Sequence, residues 1–314
     1  MKRVYTGVVI ALLVVIAFLL REYNLYLFDI CIGIVTVFAS VEVAKLIKGA
    51  NRKNLLVPSL IFPSLAYILM LLGINWEWGI GKLLVAECLL LVGFFAVMFI
   101  VMLCMWNKLT VEKKLDKFEG STSNYALKIC MDTLFGLIYP TLFLLCLVLI
   151  NHIDSFTELA NVASFDGSLG LVLLLSAIVI SVASDVCALY VGQIFKGKKL
   201  APSISPNKTI SGSIGGVVGS IIIAIVLYLI VCVEPTVVKG FEDAGITIWV
   251  FILYGALASA VTQIGDLFES KLKRLANVKD SGRVFPGHGG FMDRLDGVSF
   301  NAVFTLVFFV IILL

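Results

Sequence analysis

Long apolar runs alternate with short polar connections along all 314 residues of this chain. Nine runs can be placed, at about 4–20, 27–47, 55–74, 80–105, 125–150, 169–195, 213–233, 245–268 and 296–314. A helix rises about 1.5 Å per residue, so roughly 20 apolar residues cross a hydrocarbon core about 30 Å thick. A bilayer offers the backbone no hydrogen-bond partner, so a span is a helix or a strand of a closed barrel. These runs are too continuously apolar for alternating barrel strands. The expected class is all-α: a polytopic membrane helical bundle of about nine transmembrane helices. Lys2 and Arg3 precede the first run as in a signal peptide, but no small-x-small cleavage site lies near Leu20, so it reads as a span.

The polar connections set an orientation. One set carries Lys2 and Arg3; Lys48, Arg52 and Lys53; Lys108, Lys113, Lys114 and Lys117; Lys196, Lys198, Lys199 and Lys208; and the basic stretch after Glu269. The other carries only Arg21, Lys82 and Lys239, among eight acidic residues. Basic loops stay inside, which puts the amino terminus in the cytoplasm and the carboxyl terminus outside. Two units are expected: amino-terminal helices with a cytoplasmic loop over 1–124, and a catalytic membrane unit over 125–314 with cytoplasmic loops 196–212 and 269–295. Leu109, Leu115 and Phe118 among the lysines of 106–124 suit an interfacial helix or a solvated loop equally.

Composition agrees: 60% hydrophobic, 14% charged, mean hydropathy +1.06, against about 25% charged residues in soluble domains. The seven cysteines are scattered through apolar runs without a CxxC pair, and read as small reduced hydrophobes. Nothing points to a nucleic-acid partner.

The chemistry concentrates in Ser270–Asp296, SKLKRLANVKDSGRVFPGHGGFMDRLD, which holds six basic residues, three aspartates and four glycines between two apolar runs. Asp266, Ser270, Lys273 and Arg274 share one helix face by spacing. Asp293 and Asp296 share another, and carboxylates from two helix ends suit a hard cation such as magnesium. Lys271, Lys273, Arg274, Lys279, Arg283 and Arg294 suit phosphates. Gly287, Gly289 and Gly290 let backbone amides approach an anion, and His288 can bond or protonate a phosphate oxygen. Ser205-Pro-Asn-Lys208-Thr209 opens the seventh span as a further anion site. Asp185, inside the sixth span, needs a partner. Anchoring lysines, N-capping aspartates and a Gly-Gly turn explain single residues here. They do not explain the whole set in one short loop. The glycines at 212, 215, 216 and 219 read as a helix-packing face.

Ser270-Lys-Leu-Lys-Arg274, Lys279-Asp280, Gly282, Phe285-Pro286, His288-Gly-Gly290 and Asp293-Arg-Leu-Asp296 resemble the signature of the phosphatidate cytidylyltransferases, or CDP-diacylglycerol synthases. Asp185 with Ser205–Thr209 and Gly212 resembles that family's second stretch. The likeness covers about 180–296; where Ser211 stands the family usually has Glu. The resemblance implies CTP and phosphatidic acid as substrates and CDP-diacylglycerol and pyrophosphate as products. It implies magnesium on Asp266 and Asp293 with Asp296 beside them, and leaves room for a second, monovalent cation. Asp266, Asp293, Lys273, Arg274 and His288 become the catalytic set. Ser205, Lys208, Thr209, Ser270, Lys279, Asp280, Gly289, Gly290 and Arg294 become substrate-binding residues. A homodimer in a bacterial plasma membrane, with its site on the cytoplasmic face, completes the expectation. The alternatives are a CTP-dependent lipid-alcohol kinase and an anionic-solute transporter. Arg21 and Lys82, on the far face, are expected to be neutral for activity.

Overall fold

A computed structural model describes residues 2–50, 56–111, 122–159, 162–285, 287 and 289–314. Among them, nine helical stretches are long and apolar enough to cross a membrane, and the chain is an integral membrane protein. The helices are α1 (Lys2–Tyr23), α2 (Leu25–Gly49), α3 (Pro58–Asn75), α4 (Ile80–Val111), α5 (Thr122–Leu137), α6 (Phe143–Asn151) and α7 (Leu169–Phe195). After α7 come strands β1 (Lys199–Ala201) and β2 (Ser205–Thr209), then α8 (Ile210–Val231), α9 (Pro235–Asp243), α10 (Ile248–Leu275) and α11 (Met292–Leu313).

Three local features depart from the hydropathy pattern. The fifth span is broken: Tyr139 leaves helical geometry and Pro140 follows, which separates α5 from α6. Proline lacks the N–H that a continuous helix needs. The connection at 196–212 contains an antiparallel ribbon, with Lys199 opposite Thr209 and Ala201 opposite Ser205. Finally, α10 runs on to Leu275, so Ser270, Lys273 and Arg274 are helical and the signature loop shortens to 276–291. The 112–121 part of the expected interfacial segment lies outside the described residues.

The carboxyl-terminal bundle is built on close contact. A methyl added at Gly215 of α8 would run into Val191 of α7, and one at Gly219 into Cys187 Sγ. Small residues let helices approach this closely where lipid supplies no hydrophobic drive. Below the ribbon a polar seam ties four helices together. Asn301 Nδ2 donates to Ala177 O (2.8 Å) and Ser181 Oγ (3.0 Å). Ser181 meets Thr262 at 3.2 Å, and Ser184 meets Ser259 at 2.7 Å. Gln263 Nε2 donates to Ser213 O (3.1 Å) and Ser259 Oγ (3.1 Å). Such bonds contribute about 0.6 kcal/mol each within a membrane.

The amino-terminal helices differ in burial. α1 is largely exposed, whereas half of the α2 span is buried, and α2 packs on α5, α6, α10 and α11. At the end of the bundle away from the signature loop, Arg21 is only 6% exposed. Its Nε donates to Asn151 Oδ1 (2.8 Å), and Asn151 Nδ2 donates to Asp29 Oδ1 (2.8 Å). Asp29 Oδ2 also meets His152 Nε2 at 2.7 Å. Arg21 is thus a buried tie between α1 and α6, while Lys82 is exposed.

Candidate active site

The site is assembled where the carboxyl end of α10 and the amino end of α11 meet. On α10, Asp266, Glu269, Ser270 and Lys273 project from consecutive turns. Lys273 Nζ is the hub: it donates to Glu269 Oε2 at 2.5 Å and to Asp293 Oδ1 at 2.7 Å. Glu269 is fully buried, and its Oε1 has no hydrogen-bond partner among the described residues. One turn earlier, Asp266 accepts from Ser270 Oγ (3.2 Å) and pairs with Lys208 of β2.

Asp293 holds the loop. Its Oδ2 accepts from Ser281 N, Ser281 Oγ and Gly290 N, each at 2.8 Å. Gly289 has φ +85°, a backbone state that favours glycine, and its carbonyl accepts from Phe285 N at 2.8 Å. Phe285 packs on Phe291 (4.9 Å), and Phe291 stacks on Phe38 of α2 (5.3 Å). Asp296, a turn further along α11, accepts from Gly297 N (2.8 Å) and interacts electrostatically with Asp266, Glu269 and Asp185. Below them Tyr139 packs on Phe268 (5.0 Å) and Phe300 (5.8 Å), an aromatic floor beneath the acids.

The ribbon closes the other side. Thr209 caps α8, accepting from Gly212 N at 3.1 Å. Ser211 Oγ donates to Lys196 O, which ties the ends of α7 and α8 together. Ser205 starts β2 and is half-buried. Asp185 is accessible, with Asp266, Lys208 and Arg294 in electrostatic range. Its charge thus faces this polar cleft and not the apolar interior expected from its place in a span.

Most expected residues converge, with two reassignments. Arg274 donates to Ile204 O (3.1 Å) and Val278 O (3.5 Å), so it holds the ribbon turn and the loop start. The anion at Gly290 is internal: the Glu42 carboxylate of α2 lies where a Cβ at Gly282 or Gly290 would sit. Lys279 and Asp280 are exposed at the loop start, and Arg294 is exposed on α11. His288 lies outside the described residues. Sequence reading missed Glu42, Ser281 and the role of Glu269. An ionisable residue within an apolar run was the available signal for Glu42.

Among the described residues no group of three or more His, Cys, Asp or Glu side chains is arranged as a metal centre. The donor set still suits an oxygen-seeking cation, since magnesium commonly takes one or two carboxylates and fills its shell with water and phosphate. Asp266 is held by an exchangeable lysine, and Glu269 Oε1 is a buried oxygen unsatisfied among the described residues.

A family model described as the cytidylyltransferase family matches residues 1–312. The chain is 41% identical over 133 residues to the phosphatidate cytidylyltransferase of Staphylococcus haemolyticus, over 42% of this chain and 46% of that protein. It is 38% identical over 122 residues to the protein of that name from Mycobacterium bovis, over 39% of this chain and 36% of the relative. For the Mycobacterium leprae protein the identity is 40% over 122 residues, 39% of this chain and 35% of the relative. The matched stretch spans less than half the length of each of these relatives. With a family match that runs over nearly the whole chain, and a signature loop folded against a carboxylate–lysine cluster, the chain belongs to the cytidylyltransferase family.

Proposed function

We propose that this protein transfers a cytidylyl group from CTP to phosphatidic acid, giving CDP-diacylglycerol and pyrophosphate. The observation that carries the reading is the convergence of Lys208, Lys273, Asp266, Asp293 and Asp296 at one end of a membrane bundle. A lipid phosphate and a soluble triphosphate can meet only at such an edge. An oxygen of the phosphatidate phosphate attacks the α-phosphorus of CTP. The bond from that phosphorus to the α,β-bridging oxygen breaks, and pyrophosphate leaves with the electron pair. The lipid phosphate is the nucleophile, so no covalent enzyme intermediate is needed. Phosphoryl chemistry of this kind depends mostly on positioning and charge neutralisation.

Lys208 and Arg294 border the cleft and are suited to the triphosphate, as is Lys279, exposed on the loop. Ser205, Ser270 and Thr209 offer hydroxyls to phosphate oxygens, and Gly289 lets the loop backbone turn beside them. His288 and Asp280 belong to the same loop and to the same proposal. Lys273 fixes Asp293 and lowers the cost of bringing anions near it. Magnesium would be held by Asp266 and Asp293, with Asp296 beside them, and would neutralise phosphate charge. A monovalent cation near Glu269 belongs to the same reading.

The basic residues at the site end support a cytoplasmic active site in a bacterial plasma membrane, and the family resemblance extends the proposal to a homodimer. Sealed vesicles of opposite orientation test reaction and sidedness together. With phosphatidate, magnesium and externally added CTP, inverted vesicles are expected to release pyrophosphate and form CDP-diacylglycerol, and right-side-out vesicles to remain inactive. Release of CDP in place of pyrophosphate would indicate a lipid kinase, and equal turnover in both preparations would overturn the sidedness.

A further inference from the structure

Glu42 is a carboxylate inside an apolar helix of the amino-terminal half, 5% exposed. It is 250 residues in sequence from its main partner. Its Oε2 accepts from Met292 N at 2.9 Å and from Ser281 Oγ at 3.2 Å. Met292 is the first residue of α11, whose leading N–H groups have no partner within the helix. A carboxylate there satisfies one of them and lies at the positive end of the helix dipole.

The Ser281 hydroxyl joins Glu42 to the site. It lies 2.8 Å from Asp293 Oδ2 and 3.2 Å from Glu42 Oε2. A hydroxyl carries one proton, so it serves one carboxylate at a time. From Asp293 the chain continues through Lys273 to Glu269. Two loop glycines make room for the carboxylate. A Cβ at Gly282 or at Gly290 would overlap Glu42 Oε1, and neither residue is among the glycines with positive φ. Their lack of a side chain therefore fits a steric need and not a backbone one. Among the described residues Glu42 Oε1 itself is buried without a hydrogen-bond partner, so their bonds do not saturate its carboxylate.

We infer that Glu42 is a positioning residue: through it α2 clamps the signature loop onto the start of α11 and so sets the direction of Asp293 and Lys273. It touches no substrate in this role. The amino-terminal helices then contribute to the geometry of catalysis and not only to the bulk of the bundle. The activity readout rests on the cytidylyl-transfer reading proposed above.

The test uses the full-length protein with phosphatidate, CTP and magnesium. Glu42→Ala is expected to lower kcat about a hundredfold, the scale set by a misplacement of about 1 Å, while KM for CTP changes less than about threefold by the same argument. Glu42→Gln keeps the length and an acceptor oxygen, and is expected to recover kcat to within about tenfold of the parent. Simple loss of fold would lower the active fraction without this rescue. Gly282→Ala, which displaces the carboxylate, is expected to lower kcat in the parent and to add little in the Glu42→Ala background, a non-additive pair. An inactive parent protein would overturn the cytidylyl-transfer reading. An active parent with parental kcat in Glu42→Ala, or with independent effects of the two substitutions, would overturn the inference. Should Glu42→Ala fail to insert, parental kcat in a folded Gly282→Ala protein overturns it equally.

Discussion

Lys273 carries more of the site than any other single residue. Its ammonium touches a fully buried carboxylate, Glu269, and the carboxylate that organises the loop, Asp293. Removing one partner from a buried ion cluster leaves uncompensated charge and costs about 3–5 kcal/mol. Here the loss would fall on two acids at once. Lys273→Met is expected to lower the melting temperature and to reduce kcat at least about a hundredfold, the scale of losing one charge-stabilising donor. Thermal unfolding in detergent and a turnover assay on the folded fraction check both. Parental kcat in folded Lys273→Met would remove the lysine from the machinery. The residue's place on a helix face with Asp266 and Ser270 was legible from spacing alone. Its bridge to Asp293 was not, because nothing in a linear pattern says which acid a lysine meets across a loop.

At the scale of elements, the ribbon and the α7–α8 contact position Lys208. Gly215 permits that contact by leaving Val191 its space, and the chain enters α8 directly from β2. A larger side chain forces the helices apart, and overpacking of this kind costs about 1–3 kcal/mol. Gly215→Leu is therefore expected to lower stability by that amount and kcat/KM for CTP by about tenfold, as Lys208 moves from Asp266. A drop in melting temperature with unchanged kcat/KM would separate ribbon placement from helix packing. The nine spans were readable because lipid forces long apolar runs into helices. Pro140 gave a local cue for the broken fifth span, yet the apolar run continued through it. The ribbon gave none: Ser205-Pro-Asn-Lys-Thr209 has no apolar alternation, and its pairing is held by Arg274 on Ile204 O from a helix about 70 residues away. The clamp at Glu42 was hidden for the same reason.

Across the whole molecule two buried polar layers lie at opposite ends of an apolar bundle. One is the carboxylate–lysine cluster around Lys273; the other joins Arg21, Asn151, Asp29 and His152. Both bind helices that are far apart in sequence, but only the first adjoins the accessible carboxylate of Asp185, the exposed loop lysine Lys279 and Arg294. The far layer is closed: Asp29 is fully buried and Arg21 nearly so. Its contribution is therefore to the association of α1 and α2 with α6. Arg21→Ala leaves Asn151 Oδ1 without the donor Arg21 Nε and removes a positive charge from this layer. A loss of about 3 kcal/mol corresponds to a melting temperature lower by roughly 5 °C in a protein of this size. The kcat of the folded fraction is expected to match the parent, and Lys82→Ala, on an exposed position at the same end, should alter neither quantity. Paired melting and turnover measurements on the two variants decide the point. A fall in kcat for Arg21→Ala at temperatures where it remains fully folded would mean that the two layers communicate through α2, the helix that holds Asp29 at one end and Glu42 toward the other.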